Sequence, residues 1–527
     1  MMPVLPPETA SMRTRDGVRL DADVYRPDAP GPFPVLLMRQ PYGRRIASTV
    51  CYAHPEWYAA HGYIVAIQDV RGRGTSEGMF RTFEAESADG ADAVAWAAGL
   101  PGASGAVGMY GFSYQGTDQL LAAGRAPPGL RALAPAMIGW DLRTDWAHEG
   151  GAFALQAGLG WAMQIAAESA RLAGDADAYT ELRHAAQALP LAGPVPARPD
   201  IMQRHRALSH YHDWIDTPDD APYWQRISPA AHAAEIVAAG VPVLLVGGWY
   251  DSHLPGTLAA YRALAGNVPC HIVVGPWAHF PWGRRVGAVD FGAGAIGEID
   301  ALQVRWFDRW LKQRDFGVDL PPVRLFDMGA LRWRDFSGWP AEGATLFVGG
   351  SGRAALDERD GVLLASPPAD GGHECVVHDP WRPVPSVPAG VDRAATDARP
   401  DVLTFTGAPA LETLLLAGNV VATLDIAADA PDFDVACTLS RVRGAQVIAI
   451  AEGYRRVTTP GPVDVPMRAT CLTLQPGDAL RLSVAGAAFP AFPVNPGTGE
   501  DPTRARAIDA RTITLRLRRG SRIVIGS

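Results

Sequence analysis

The chain predicts an α/β protein built on a mostly parallel sheet, with a helical insertion and an all-β carboxyl-terminal domain. Three observations carry this expectation. Apolar runs of strand length alternate with helix-like segments over residues 1–140 and again over 236–320, as buried parallel strands linked by helices do. Residues 141–235 instead hold alanine-rich, tryptophan-punctuated segments such as GAFALQAGLGWAMQIAAESARLAG, which read as helices without intervening strands, a cap over the sheet's active edge. Over 321–527 helical periodicity fades, and short β segments (ATLFVG, DVLTFTG, NVVATLDIAAD, ALRLSVAG, RTITLRLRRG) are separated by Pro, Gly and Asp. That is the signature of a β-sandwich, here assigned to the jelly-roll type. At 527 residues the chain is long enough for two or three domains.

The elements follow in order. PFPVLLMRQPYG (32–43) and GYIVAIQDVRG (62–72) are apolar runs that end in polar, glycine-containing loops. ESADGADAVAWAAGL (86–100) reads as a helix, with acidic residues near its start that favour the dipole and alanines through its middle. AVGMYG leads as a strand into a helix from about Tyr114, and LRALAPAMIG (130–139) supplies the next strand. After the insertion come VPVLLVGGWYD (241–251), a helix near 256–265, CHIVVGPWAHF (270–280) and a helix at about 298–312.

Composition narrows the function. Hydrophobic content of 48% and charged content of 20% suit a globular protein, and no apolar run reaches membrane-spanning length. A net charge of −9 argues against binding nucleic acid. The arginines at 44–45 and 71–73 read as local structural charges. The first residues lack the basic start and apolar stretch of a secretory signal, and five scattered cysteines show no paired spacing. The expectation is a cytoplasmic protein with reduced thiols, no membrane partner and no nucleic-acid partner.

Ser113 lies between Gly111 and Gly116, where a strand runs into a helix. A serine on such a turn is either a helix cap or a nucleophile held on a strained elbow. Two later residues favour the nucleophile. Asp251 ends one apolar strand and His279 follows another, which gives the chain order Ser, Asp, His of α/β-hydrolases. His253, two residues past Asp251, is a poorer base because a neighbour so close cannot span Asp251 and Ser113. The oxyanion donors expected are the Tyr114 backbone N–H and, from the loop after an early strand, the Tyr42 phenol; Tyr42 could equally cap the sheet edge. The loop DVRGRGTSEG (69–78) is a weak phosphate-binding candidate and reads better as a brace for the site. His205, His210, His212 and Asp213 lack a recognised metal-ligand spacing and read as surface and packing residues.

The set RQPYGR, QDVRGRGTSEG, GMYGFSYQG, GGWYD and VVGPWAH resembles the cocaine esterase-like (CocE/NonD) hydrolases, relatives of the X-prolyl dipeptidyl peptidases (peptidase S15 type) and α-amino-acid ester hydrolases. GFSYQG conforms to that family's elbow, G-x-S-Y-x-G. DDAPYWQRISP (219–229), LTFTGAPALE, DAPDFDVACTLSRV and AFPAFPVNPGTG (488–499) extend the likeness along the chain. The resemblance implies an α/β-hydrolase core, a helical cap and a carboxyl-terminal jelly roll. It also implies Ser113 as nucleophile, His279 as general base and acid, Asp251 as its partner, and Tyr42 with the Tyr114 amide as oxyanion hole. The acyl-enzyme mechanism so implied needs no metal and no organic cofactor.

Relatives acting on α-amino-acid esters hold the substrate ammonium with carboxylates just after the triad aspartate. Here that segment, YDSHLPG, carries Ser252, His253 and Leu254, leaving Asp145 and Glu149 of the cap as the remaining acidic partners. The reading is therefore a small-molecule carboxylic ester hydrolase. An amidase, X-prolyl dipeptidyl peptidase or α-amino-acid ester hydrolase of the same superfamily is the first alternative, and a non-catalytic carbohydrate- or partner-binding protein the second. Trp146, Trp161, Trp249, Trp277 and Phe280 are the candidate pocket aromatics, each equally able to pack cap against core. A homo-oligomer is left open, as are the physiological substrate and enantioselectivity.

Overall fold

The computed structural model describes residues 1–280, 282–314, 320–341 and 343–526. Its first half is a ten-stranded sheet: β1 Glu8–Arg13, β2 Arg19–Tyr25, β3 Phe33–Gln40, β4 Ile64–Asp69, β5 Ala103–Phe112, β6 Leu130–Ala136, β7 Val243–Gly248, β8 Cys270–Gly275, β9 Val323–Asp327 and β10 Arg332–Phe336. The spatial order is β1-β2-β4-β3-β5-β6-β7-β8-β9-β10. From β4 to β9 every neighbouring pair is parallel, while β1, β2 and β10 close the two edges antiparallel. The central strands are buried on both faces (every residue of β4 and β7 is buried) because helices cover each side. That is why they read as continuous apolar runs rather than as alternating ones.

The sheet runs past the boundary expected at residue 320. Val323, Arg324 and Leu325 pair parallel with Ile272, Val273 and Val274. A short buried strand does not reveal in sequence which sheet it will join. The helix α1 Glu86–Ala98 forms as expected, with Glu86 and Asp89 in its first turn. Its acidic residues serve tertiary contacts: Glu86 pairs with the fully buried Arg39, and Asp89 pairs with Arg71.

After α2 Tyr114–Ala123 and β6 the chain leaves the sheet for the cap. A short hairpin, His148–Glu149 with Ala152–Phe153, precedes the long helices α3 Leu155–Ala173 and α4 Ala176–Gln187, and shorter helices follow at Tyr211–Asp216 and Pro222–Ile227. The cap shares a hydrophobic cluster with the core, in which Phe83, Tyr114 and Leu121 pack with Phe153, Leu159, Met163 and Trp214. The remaining residues form an all-β domain on an eleven-stranded sheet, its longest strands Leu414–Ala428 and Gly461–Leu474. That domain grips the rest of the molecule at several points. Asp327 accepts bonds from Thr473, and the backbone N–H of Arg456 donates to Gly150 in the cap hairpin.

Candidate active site

Four loops converge at the carboxyl edge of the sheet, and each carries a residue singled out from sequence. Tyr42 follows β3, Ser113 follows β5, and Asp251 and His279 follow β7 and β8. Ligand sites of open α/β sheets collect at this edge.

Ser113 sits at φ 60°, ψ −125°, a strained backbone for a residue with a side chain. Two glycines make the turn feasible. Gly111 has φ 148°, and a Cβ there would lie 2.4 Å from the Gln115 Cβ. A Cβ on Gly116 would lie 2.5 Å from Ile138 Cγ2 and 2.9 Å from the Ala136 carbonyl oxygen. The closest approach of α2 to β6 thus falls at residue 116, which accounts physically for the late second glycine. The Ser113 backbone N–H donates to the Ala136 carbonyl (2.8 Å), tying the elbow to β6. Its side chain makes no capping bond to the helix.

The structure brings the three expected partners into one hydrogen-bonded chain. His279 Nε2 lies 3.1 Å from Ser113 Oγ, and His279 Nδ1 lies 2.8 Å from Asp251 Oδ1. Asp251 is fully buried. Burial alone would raise its pKa, but the adjoining His279 more than offsets this and holds the carboxyl below its ordinary range. A carboxylate in that position favours the imidazole with Nδ1 protonated and turns Nε2 toward Ser113 Oγ.

Tyr42 is placed by the same logic. Its backbone N–H donates to Gln40 Oε1, and its phenol oxygen accepts the indole N–H of Trp161 from the cap at 3.1 Å. With that acceptor position filled, the phenol's own O–H is left to donate. Burial pushes the Tyr42 phenol up to about 12, so it stays protonated. Tyr114 opens α2, where its backbone N–H has no intrahelical acceptor. Its side chain turns away from the site, stacks on Phe83 (4.1 Å) and donates to Glu86 at 2.8 Å.

A cavity of about 480 Å³ lies over Ser113 and His279. Of the candidate aromatics, Trp146, Trp161 and Phe280 line it. Trp249 and Trp277 do not and are corrected here. Both are buried in the core, with indole N–H groups donating to the Phe326 and Ala295 carbonyls, because their rings point beneath the sheet's edge rather than across it. Asp145 and Glu149 also face the cavity. The Asp145 carboxylate accepts the backbone N–H groups of Trp140 and Asp141, and burial pushes it up to about 8. Glu149 is ion-paired with Arg468 of the β domain at 3.2 Å.

His253 bonds to neither Ser113 nor Asp251. It lines the cavity between Trp146 and His279, with ring centroids 4.2 and 5.0 Å away, and burial lowers it to about 4. The other histidine cluster disperses. His205 pairs with Glu181, His212 bonds the Met202 carbonyl, and His210 lies between Trp161 and Trp214 at 4.4 and 4.5 Å. His210 and His212 are buried rather than on the surface, since the apolar face of the cap closes over them. Among the described residues no group of three or more metal-ligating side chains forms a metal site, and no helix is long and apolar enough to cross a membrane. Sequence reading passed over several further cavity residues, among them Phe112, Gln115, Thr144, His148 and Gln164, which no motif marked.

Fold and site geometry together are those of an α/β serine hydrolase. The chain belongs to the S15 family: residues 16–281 match the family described as X-Pro dipeptidyl-peptidase (S15 family), and residues 316–524 match the X-Pro dipeptidyl-peptidase C-terminal non-catalytic domain. It is 32% identical over 549 aligned residues to the cocaine esterase of Rhodococcus sp. (strain MB1 Bresler), covering 96% of this chain and 95% of that one. Two solved structures share the fold. An aminopeptidase from a marine sediment archaeon (Thaumarchaeota archaeon) superposes with a TM-score of 0.80 at 22% identity, and an α-amino acid ester hydrolase with 0.79 at 21%; each comparison covers 99% of this chain and 96% of the other. The family agrees with the resemblance carried by the elbow and its companion motifs.

Proposed function

We propose that the protein hydrolyses uncharged carboxylic esters of medium size, with Ser113 as nucleophile, His279 as general base and acid, and Asp251 orienting the imidazole. The carrying observation is the chain Asp251–His279–Ser113 at 2.8 and 3.1 Å beneath a cavity lined by Trp146, Trp161 and Phe280. Nε2 of His279 takes the Oγ proton as Ser113 attacks the ester carbonyl. The oxyanion receives the Tyr42 O–H and the Tyr114 N–H, and the alcohol departs with the proton from His279. Water deprotonated by the same nitrogen then attacks the acyl-enzyme and releases the acid.

Preference for an uncharged ester is supported by the state of the two cavity carboxylates. A substrate ammonium entering a buried pocket needs an unengaged negative charge. Glu149 is engaged by Arg468, and Asp145 is held by backbone amides and protonated at neutral pH. The similar cocaine esterase is named for an ester substrate, which supports the ester class but not the absence of charge.

A fluorophosphonate probe tests the chemistry. Labelling of the wild type and its loss in Ser113→Ala are expected, with kcat falling by roughly 10⁶. A folded wild type that is not labelled overturns the proposal. Comparison of p-nitrophenyl esters with Gly-Pro-p-nitroanilide tests the substrate class, and preferential anilide turnover would replace the esterase reading with a peptidase one.

A further inference from the structure

Two buried polar side chains in the cavity wall each keep an atom that the mechanism above leaves without a partner. Gln115, two residues beyond Ser113 on the first turn of α2, is 1% exposed. Its Oε1 accepts the Phe112 backbone N–H at 3.4 Å, which orients the amide, yet Nε2 finds no acceptor. His253 is 8% exposed; its ring bonds the Asp145 backbone through one nitrogen, which leaves Nδ1 as an unpartnered acceptor. Both residues line the cavity that holds Ser113 and His279. A buried donor left unpaired is costly, and native proteins rarely leave one without a function. An apolar residue of similar volume would serve an elbow that met only hydrocarbon. The wall around them is mixed, with Tyr42, Phe112, Trp146, Trp161 and Phe280 beside Thr144, Glu149, Gln164 and Ser252.

We infer that the substrate's acyl group carries an ether oxygen close to the ester carbonyl, and that Gln115 Nε2–H donates to it. This inference rests on the ester-hydrolase reading and gives it a substrate class: oxygen-substituted acyl esters in preference to simple alkanoates. Sites that hydrogen-bond a substrate group discriminate strongly against the analogue that lacks it, because the protein group is then stranded. The Gln115 amide is tied to the elbow through the Phe112 N–H, one residue before Ser113, so the oxygen it selects lies near the reacting carbon.

The experiment compares p-nitrophenyl pentanoate with its 3-oxa and 4-oxa analogues, which have the same number of heavy atoms. Each kcat/KM is divided by the ester's own rate of alkaline hydrolysis, which removes the inductive effect of the oxygen. In the wild type one oxa ester is expected to exceed pentanoate by at least about tenfold. In Gln115→Leu that ratio should fall to about one, with thermal melting checking that the variant is folded. Wild-type ratios near one for both oxa esters overturn the inference while leaving ester hydrolysis standing, and need no variant. Equal losses for all three esters in Gln115→Leu also overturn it, since Nε2 would then serve the common oxyanion. Failure of the wild type on every ester, with no fluorophosphonate labelling, removes the reading beneath it instead.

Discussion

On the core side of the cavity, Ser113, His279 and Asp251 are tied by directed hydrogen bonds, and each stands at the end of its own strand. On the cap side, Trp146 and Trp161 line the cavity with His210 and Trp214 packed behind them, the rings meeting face and edge at centroid distances of 4.4 to 6.3 Å with few polar ties. The first wall holds atoms in place for charge transfer, and the second holds volume. The contrast implies that core-side changes act on kcat by large factors, whereas cap-side changes act on packing, selectivity and stability by small ones.

Asp251→Asn is the strongest way to break this contrast. The amide keeps the shape but favours the wrong tautomer of His279, so kcat should fall by roughly 10⁴ with little change in KM. A loss of less than about tenfold in steady-state kinetics would show that the buried carboxylate is structural.

Tyr42→Phe comes next, because Tyr42 is where the two walls touch. Removing the phenol O–H should lower kcat by roughly 10²–10³. With its pKa near 12, Tyr42 should contribute no alkaline loss of activity across the range in which the protein stays folded. A wild-type pH profile with an alkaline limb that vanishes in Tyr42→Phe would contradict this assignment.

The same division explains what could be read from the sequence. Strand ends are local: an apolar run followed by Ser, Asp or His states both the element and the edge on which the residue falls, so the core-side set was visible before the fold. The cap-side contacts are not local. Trp161 reaches Tyr42 across 119 positions of sequence, and nothing in either segment announces the pair. Trp249 and Trp277 lie two residues before Asp251 and His279, yet point into the core: all four stand past the strand ends at Gly248 and Gly275, where the alternation of strand faces no longer tells which way a side chain points. The strand pair β9–β10 escaped for a related reason, since its register with β8 is a tertiary fact. The late glycine of the elbow was legible as a motif, but its cause became visible only with the contact to Ile138 and Ala136.

The smallest effect expected is on the cap side, at His210. Burial, reinforced by nearby Arg73, lowers this imidazole to about 3, and its Nδ1 has no hydrogen-bond partner. Unfolded, the same group would titrate at its ordinary value near 6.5. Because the folded pKa is the lower one, the unfolded state binds the extra proton. The stability contribution is therefore complete above pH 6.5 and is lost as pH falls from 6.5 toward 3. Going from pH 7.5 to 5.5 should cost about 1 kcal/mol through this residue alone. His210→Phe keeps a ring between Trp161 and Trp214 and removes the titration, so its melting temperature should rise relative to wild type as the buffer is acidified over that range. Parallel curves for the two proteins would mean that His210 is protonated or hydrated in the folded state, and the cap wall would then be wetter than its aromatic contacts indicate.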